Sequence, residues 1–130
     1  MKKFAYLLLS CAALTTASSC SKEKEVAPTG PKEYQVEYKV TSNASVADYL
    51  SYDNESGGST TLSNVALPAT YSFKRTMKLG DHVGILASLP SGSPATSEIT
   101  ASISLDGKEV KKETGRGSSA QAVPVWVIGQ

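Results

Sequence analysis

The sequence predicts an all-β fold, an immunoglobulin-like antiparallel β-sandwich of about 7–8 strands, with a small barrel as the alternative. Three observations carry this. From Glu33 onward apolar and polar residues alternate with a period of two rather than the helical 3.6, the repeat of a strand with one buried and one wet face. Clusters of Gly, Pro, Asn, Asp and Ser interrupt the alternation roughly every ten residues, as turns between short strands do. The chain is rich in Ser and Thr, with 10 Gly and 6 Pro in 130 residues, a composition that favours strands and turns over helices. That length allows one small core and excludes a two-domain enzyme.

Taken in order, Tyr34, Val36, Tyr38 and Val40 alternate with Glu33, Gln35, Glu37, Lys39 and Thr41 to make a half-buried first strand. After a turn at Ser42–Ser45, Val46 to Tyr52 is a second strand whose phase is ambiguous, because Tyr49 falls opposite Leu50 and Tyr52. The cluster Asp53–Gly58 turns the chain into a weaker third strand, Thr60 to Leu67, where Leu62 and Val65 are out of step and suggest a bulge. Pro68 ends it. Ala69, Tyr71, Phe73, Arg75, Met77 and Leu79 then share one face of a fourth strand. Gly80-Asp81 leads to His82–Leu89, apolar on both faces and therefore expected at the centre of a sheet. Ile99, Ala101, Ile103 and Leu105 mark the sixth strand, and Asp106-Gly107 a type I′ hairpin into the seventh, Lys108–Thr114. Lys111 and Lys112 mark that strand as a guarded edge. A loop from Gly115 to Ser119 leads to a last strand, Ala122–Ile128, where Pro124 implies an edge or a bulge. Either Trp126 or the Val123/Val125/Val127 face of that strand meets the core.

The segment before Glu33 has a different character. Met1-Lys2-Lys3 is a positive n-region, and between Phe4 and Leu14 only Ser10 is polar. That run falls short of the roughly 20 apolar residues needed to span a bilayer but suits a signal-peptide core. Small residues then lead to Cys20, the layout of a bacterial lipoprotein signal. Leu8-Leu9-Ser10-Cys11 fits the usual box better, yet cleavage there leaves an apolar core of only about seven residues. The expected division is a signal peptide at 1–19, a lipidated cysteine and flexible tether at 20–32, and a β-sandwich domain at 33–130. The alternative is a secreted protein cut near Ala17 with Cys20 as a free thiol. Ser21 to Lys32 is charged and then Pro- and Gly-rich, so it buries nothing and acts as a tether. Ser21 after the cysteine fits outer-membrane sorting, and Cys20-Ser21-Lys22-Glu23 resembles the charged signal that sends Bacteroidota lipoproteins to the cell surface. Paired acyl chains such as palmitate anchor stably where one is marginal. The expected location is the outer membrane, exposed at the cell surface, with a periplasm-facing orientation as the alternative.

Function classes narrow by charge and by missing chemistry. Thirteen Lys and Arg against 12 Asp and Glu give +1, and loss of Lys2 and Lys3 leaves 11 against 12, so no field draws the protein to nucleic acid. The single imidazole, His82, stands at a strand entrance with no Gly-x-Ser-x-Gly elbow to partner it. His82 with Asp81 lacks two further metal ligands at any recognisable spacing. Asp48, Asp53, Asn54 and Glu55 are the densest acidic group but lack the calcium-loop order. Gly115-Arg116-Gly117 lacks the elements of a phosphate loop, and Lys108, Lys111, Lys112 and Arg116 alternate with Glu109 and Glu113 as a solvated edge does. Tyr34, Tyr38 and Tyr71 are expected in the core, leaving Tyr49 or Tyr52 as the exposed aromatic. No catalytic residue, cofactor or metal is expected.

The order of Tyr38-Lys39-Val40-Thr41-Ser42, Ala44, Ala47-Asp48 and Tyr52, then Leu67-Pro68 and the hairpin Ile103–Lys108 with Val110, resembles the mycobacterial small membrane protein (MmpS) family over Lys39 to Ile128. The resemblance implies an immunoglobulin-like sandwich outside the cytoplasmic membrane and an accessory role for a large lipid or siderophore exporter. The family has an uncleaved membrane helix where this chain has a lipoprotein signal. It also has an aromatic residue at the place of Ala69 and a cysteine pair that this chain lacks, with Ala101 near one of the positions. The expected function is thus a non-catalytic, lipid-anchored binding or accessory domain that assists an envelope transport or export complex. The alternative is a surface adhesin or glycan-binding module.

Overall fold

The computed structural model describes residues 29–130, so the expected signal peptide at 1–19, the expected lipidation site Cys20 and the expected tether as far as residue 28 lie outside the described residues. The described chain is all-β, with no helix. The strands are β1 (Lys32–Ser42), β2 (Val46–Asp53), β3 (Ser59–Ala66), β4 (Ala69–Met77), β5 (His82–Ser88), β6 (Glu98–Leu105), β7 (Lys108–Arg116), β8 (Gln121–Ala122) and β9 (Val125–Val127). They form two antiparallel sheets. One has the order β4-β1-β6-β7; the other runs β3-β2-β5, with β8 and then β9 pairing along the far side of β5.

The pairings β1–β4 and β2–β5, with the chain crossing between sheets from β1 to β2 and from β4 to β5, make the interlocked centre of an immunoglobulin-like sandwich. One place is filled differently. The neighbour of β1 on its second side is β6, drawn from later in the chain, rather than a strand that precedes β1. Residues before β1 are hydrophilic and Pro-rich, whereas Ile99, Ala101 and Ile103 give β6 a fully buried face that only a central position can cover.

Period-two alternation maps directly onto burial in β1, where Tyr34, Val36, Tyr38 and Val40 point inward and their neighbours are exposed. They meet Val83, Ile85 and Ala87 of β5 and Leu50 of β2 in one continuous core. Cysteine occurs only at positions 11 and 20, so packing rather than a disulfide holds the domain together. An aromatic cluster fills one end of this core: Tyr52 stacks on Tyr71 with ring centroids 4.7 Å apart, and Tyr38 meets Tyr52 and Phe73 at 5.6 and 5.8 Å. Tyr38 is fully buried, and its hydroxyl donates to the Asp53 carbonyl at 3.0 Å. Burial, and next the Asp53 carboxylate, push the Tyr38 phenol above its ordinary pKa.

Several elements differ from expectation, each for a local reason. The out-of-step pair on β3 is not a bulge. Leu62 pairs with Leu50 and Val65 with Ala47 in unbroken register, because Asn64 takes a φ of 53° and both strands turn the same two positions outward. The real irregularity lies in the β6–β7 ladder, where the register slips after Ile103 and Val110 falls between the pairs Ile103–Lys111 and Ser104–Glu109. Val110 packs against the core, so a strand with one apolar residue still contributes to it. Asp106 and Gly107 have φ of 51° and 80°, the signs a type I′ turn requires. β4 ends at Met77, which leaves Leu79 beyond the strand and exposed, and β7 runs on to Arg116 into the expected loop. The single last strand is two. Pro124 offers no N–H, so the ladder breaks there into β8 and β9, and its carbonyl accepts from Ile85 N at 3.2 Å. Ala122, Pro124 and Ile128 are buried and Trp126 packs on the core, so the Trp126 side faces inward and Val123 and Val125 face solvent.

Candidate groove on the second sheet

Pairing in the second sheet determines which side chains share its outer face. Tyr49, Ser51 and Asp53 of β2 lie beside Ser63, Thr61 and Ser59 of β3, while Ser88 and Leu86 of β5 lie beside Tyr49 and Ser51. On the other flank of β5, Gly84 pairs with Val125 and His82 with Val127. Since Gly84 has no side chain, the face is hollow at its centre. A Cβ there would lie 3.2 Å from Val125 Cγ2, 3.6 Å from the Pro124 carbonyl oxygen and 3.6 Å from Asp53 Oδ2. The result is a shallow groove of about 280 Å³.

Its lining mixes two chemistries: Tyr49 of β2, Leu86 of β5 and, across β5, Val123 and Val125 are apolar, and Ser51, Ser59, Asp53 and His82 are polar. Ser51 Oγ lies 3.2 Å from Ser59 Oγ and 3.3 Å from Thr61 Oγ1, a short row of hydroxyls. His82 Nε2 is 3.8 Å from Asp53 Oδ2, close enough to attract when the imidazole is protonated. The pair is held from below, because the Tyr38 hydroxyl grips the Asp53 backbone and Arg75 Nη1 donates to the His82 carbonyl at 3.2 Å.

Residues singled out by sequence fall into two groups. Tyr49 is the exposed aromatic and lines the groove, while Tyr52, which also borders it, belongs to the core stack; Tyr34 and Tyr38 are buried and Tyr71 half-buried within the same core. Burial, and next Tyr52, raise the Tyr71 pKa. His82 joins Asp53, not Asp81, whose carboxylate accepts from Lys78 N at 3.0 Å to close the β4–β5 turn. The acidic group disperses: Asn54 Oδ1 accepts from the N–H groups of Ser56 and Gly58 to shape its own turn, and Asp48 stands on the exposed face. Among the described residues no three His, Cys, Asp or Glu side chains gather as a metal set would. Arg116 is engaged by Glu98 at 2.7 Å. Cys20 lies outside the described residues.

Gly84, Ser59, Val123 and Val125 are groove residues that the sequence did not single out. Gly84 carried a legible signal, since a glycine inside an apolar strand often marks close approach by another group. In a second depression, among Thr41–Asn43, Thr96, Glu98 and Thr100, the side chains of Ser42, Asn43, Glu98 and Thr100 are already engaged. Asn43 bridges the Thr96 carbonyl and the Glu98 N–H at 3.0 Å each, which fastens the β1–β2 turn to β6. No protein-family model matches the chain, and no curated protein matches it.

Proposed function

We propose that this protein is an outer-membrane or cell-surface lipoprotein, anchored through Cys20, whose sandwich is a non-catalytic binding module with its ligand site in the groove of the second sheet. One observation carries the binding reading. Of four large apolar side chains prominently exposed among the described residues, three, Tyr49, Val123 and Val125, line this one groove. Exposed apolar groups scattered singly need no explanation, but their convergence beside a carboxylate and an imidazole marks a contact surface. The anchoring reading is supported by the leader, the small residues before Cys20 and the tether. The non-catalytic reading rests on the sequence, whose single imidazole, His82, has no Gly-x-Ser-x-Gly elbow to partner it.

Both parts are testable in cells. Cys20→Ser is expected to move the protein from the outer-membrane fraction to a soluble one, and unchanged fractionation refutes the anchor. A photocrosslinking residue at Val125 is expected to give adducts that the same residue at Lys39, on the outer face of the other sheet, does not. Equal labelling at the two positions refutes the groove. The accessory role in export is the second reading, supported by the shared order of the Leu67-Pro68 and Asp106-Gly107 turns with the MmpS family. It expects the Val125 adduct to contain a membrane transporter.

A further inference from the structure

We infer that the ligand of this groove is a carbohydrate, with one sugar ring of a neutral glycan lying among the apolar side chains of the lining and its hydroxyls meeting Asp53, His82 and Ser59. The inference rests on the groove being a binding site and names what it binds.

Four features select this chemistry. A sugar ring is amphipathic in the same sense as the groove, with apolar C–H faces and a rim of hydroxyls. The exposed Tyr49 ring and the Val123 and Val125 methyls offer the first a partner. Asp53 Oδ2 and His82 Nε2, 3.8 Å apart, offer the second an acceptor beside an imidazole nitrogen, a pairing suited to two neighbouring hydroxyls that both donate and accept. Size comes next. At about 280 Å³ the groove is just under the ~300 Å³ at which small-molecule clefts begin, so it takes one ring and leaves the rest of a glycan in solvent.

Charge and backbone exclude the competitors. Asp53 repels phosphate and carboxylate ligands, and no lysine or arginine lines the groove to offset it. An extended peptide would bind a sheet through a free strand edge, but β5 at the groove floor already pairs with β2 on one side and with β8 and β9 on the other. Gly84 supplies the last feature. Glycine weakens a strand interior, and here it stands in the middle of a central strand where any side chain would occupy the hollow between Asp53 and Val125.

The test is a binding titration of the full mature chain in detergent against a panel of neutral, anionic and amino-sugar oligosaccharides. Neutral members are expected to bind and anionic ones to bind at least about tenfold more weakly. Tyr49→Ala is expected to weaken the neutral ligand by about tenfold or more. Gly84→Val is expected to abolish binding, and Gly84→Ala to weaken it, while Lys39→Ala changes nothing; thermal unfolding of each variant separates a filled groove from an unfolded domain. Equal affinity in wild type and folded Gly84→Val overturns the site. Failure of every oligosaccharide to bind, while the Val125 crosslink persists and contains polypeptide, overturns the carbohydrate and leaves the groove as a protein-binding site. Loss of the Val125 preference together with sugar binding overturns both readings.

Discussion

Gly115→Ala and Gly84→Ala are the same chemical change, one methyl group in a strand, with opposite expected outcomes. At Gly115 a Cβ would lie 2.6 Å from both the backbone N and the carbonyl carbon of Gln121, with the Gln121 oxygen nearer still. Real Cβ atoms do not approach backbone so closely, and the obstacle is the first residue of β8, held in the ladder by Ser88. The methyl group can be admitted only by parting β7 from β8, which opens the flank where the two sheets meet. Overpacking costs about 1–3 kcal/mol when side chains yield, and a backbone obstacle places this case at the upper end, about 3 kcal/mol. For a domain of this size that lowers Tm by roughly 12–24 °C. At Gly84 the nearest obstacle is Val125 Cγ2 at 3.2 Å, on a side chain 47% exposed and free to rotate. Removing a glycine from a strand there returns about 0.4–1 kcal/mol of chain entropy, so Gly84→Ala is expected to be neutral or slightly stabilising. Thermal and urea unfolding of both variants, followed by circular dichroism, measures the contrast. A Gly115→Ala variant within about 1 kcal/mol of wild type would refute the close approach of β7 to β8.

Two further predictions concern buried and turn groups. The Tyr38 phenol has a pKa raised above its ordinary value of 10.0, so the folded state holds its proton more tightly than the unfolded state. Stability contributed by the neutral phenol is therefore complete below pH 10.0 and falls as pH rises above it. Tyr38→Phe is expected to cost about 1–2 kcal/mol at neutral pH by orphaning the Asp53 carbonyl and to lessen the alkaline fall; an unchanged alkaline transition in that variant contradicts the assignment. At the β6–β7 hairpin, Asp106→Ala is expected to cost about 1–2 kcal/mol because alanine resists a left-handed φ, whereas Asp106→Asn retains the turn. The Gln35 N–H and next the Lys32 side chain lower the Asp106 pKa, so this carboxylate's contribution holds above its unfolded value and is lost as pH falls through the folded one. A urea series at descending pH, in which Asp106→Asn lacks the acid-limb loss shown by wild type, checks it.

Much of this architecture is written in one-dimensional pattern because burial in a strand repeats every second residue. β1, β5 and β6 are legible for that reason, and Asp106-Gly107 because few residues other than glycine and asparagine or aspartate accept its φ values. β2 and β3 were ambiguous because each departs from the period at the same place. The departure is mutual, and a mutual departure becomes visible only when the two strands are paired. Pro124 shows the same limit: the missing N–H was evident, yet whether Trp126 or the valines faced the core depended on the side of β5 against which the strand lay.

The amino-acid sequence by itself determined the fold class, most strand positions and the lysine-guarded edge of β7. Those properties follow from local backbone preference and from which residues are present at all. Only the tertiary structure decided that Asp53, 29 positions before His82, stands beside it. The same pairing set Tyr49 and Val125 along one hollow and left it open over Gly84. The physical reason is that neighbours across a sheet are chosen by strand order and register, which come from the collective burial of both sheets and not from any segment alone.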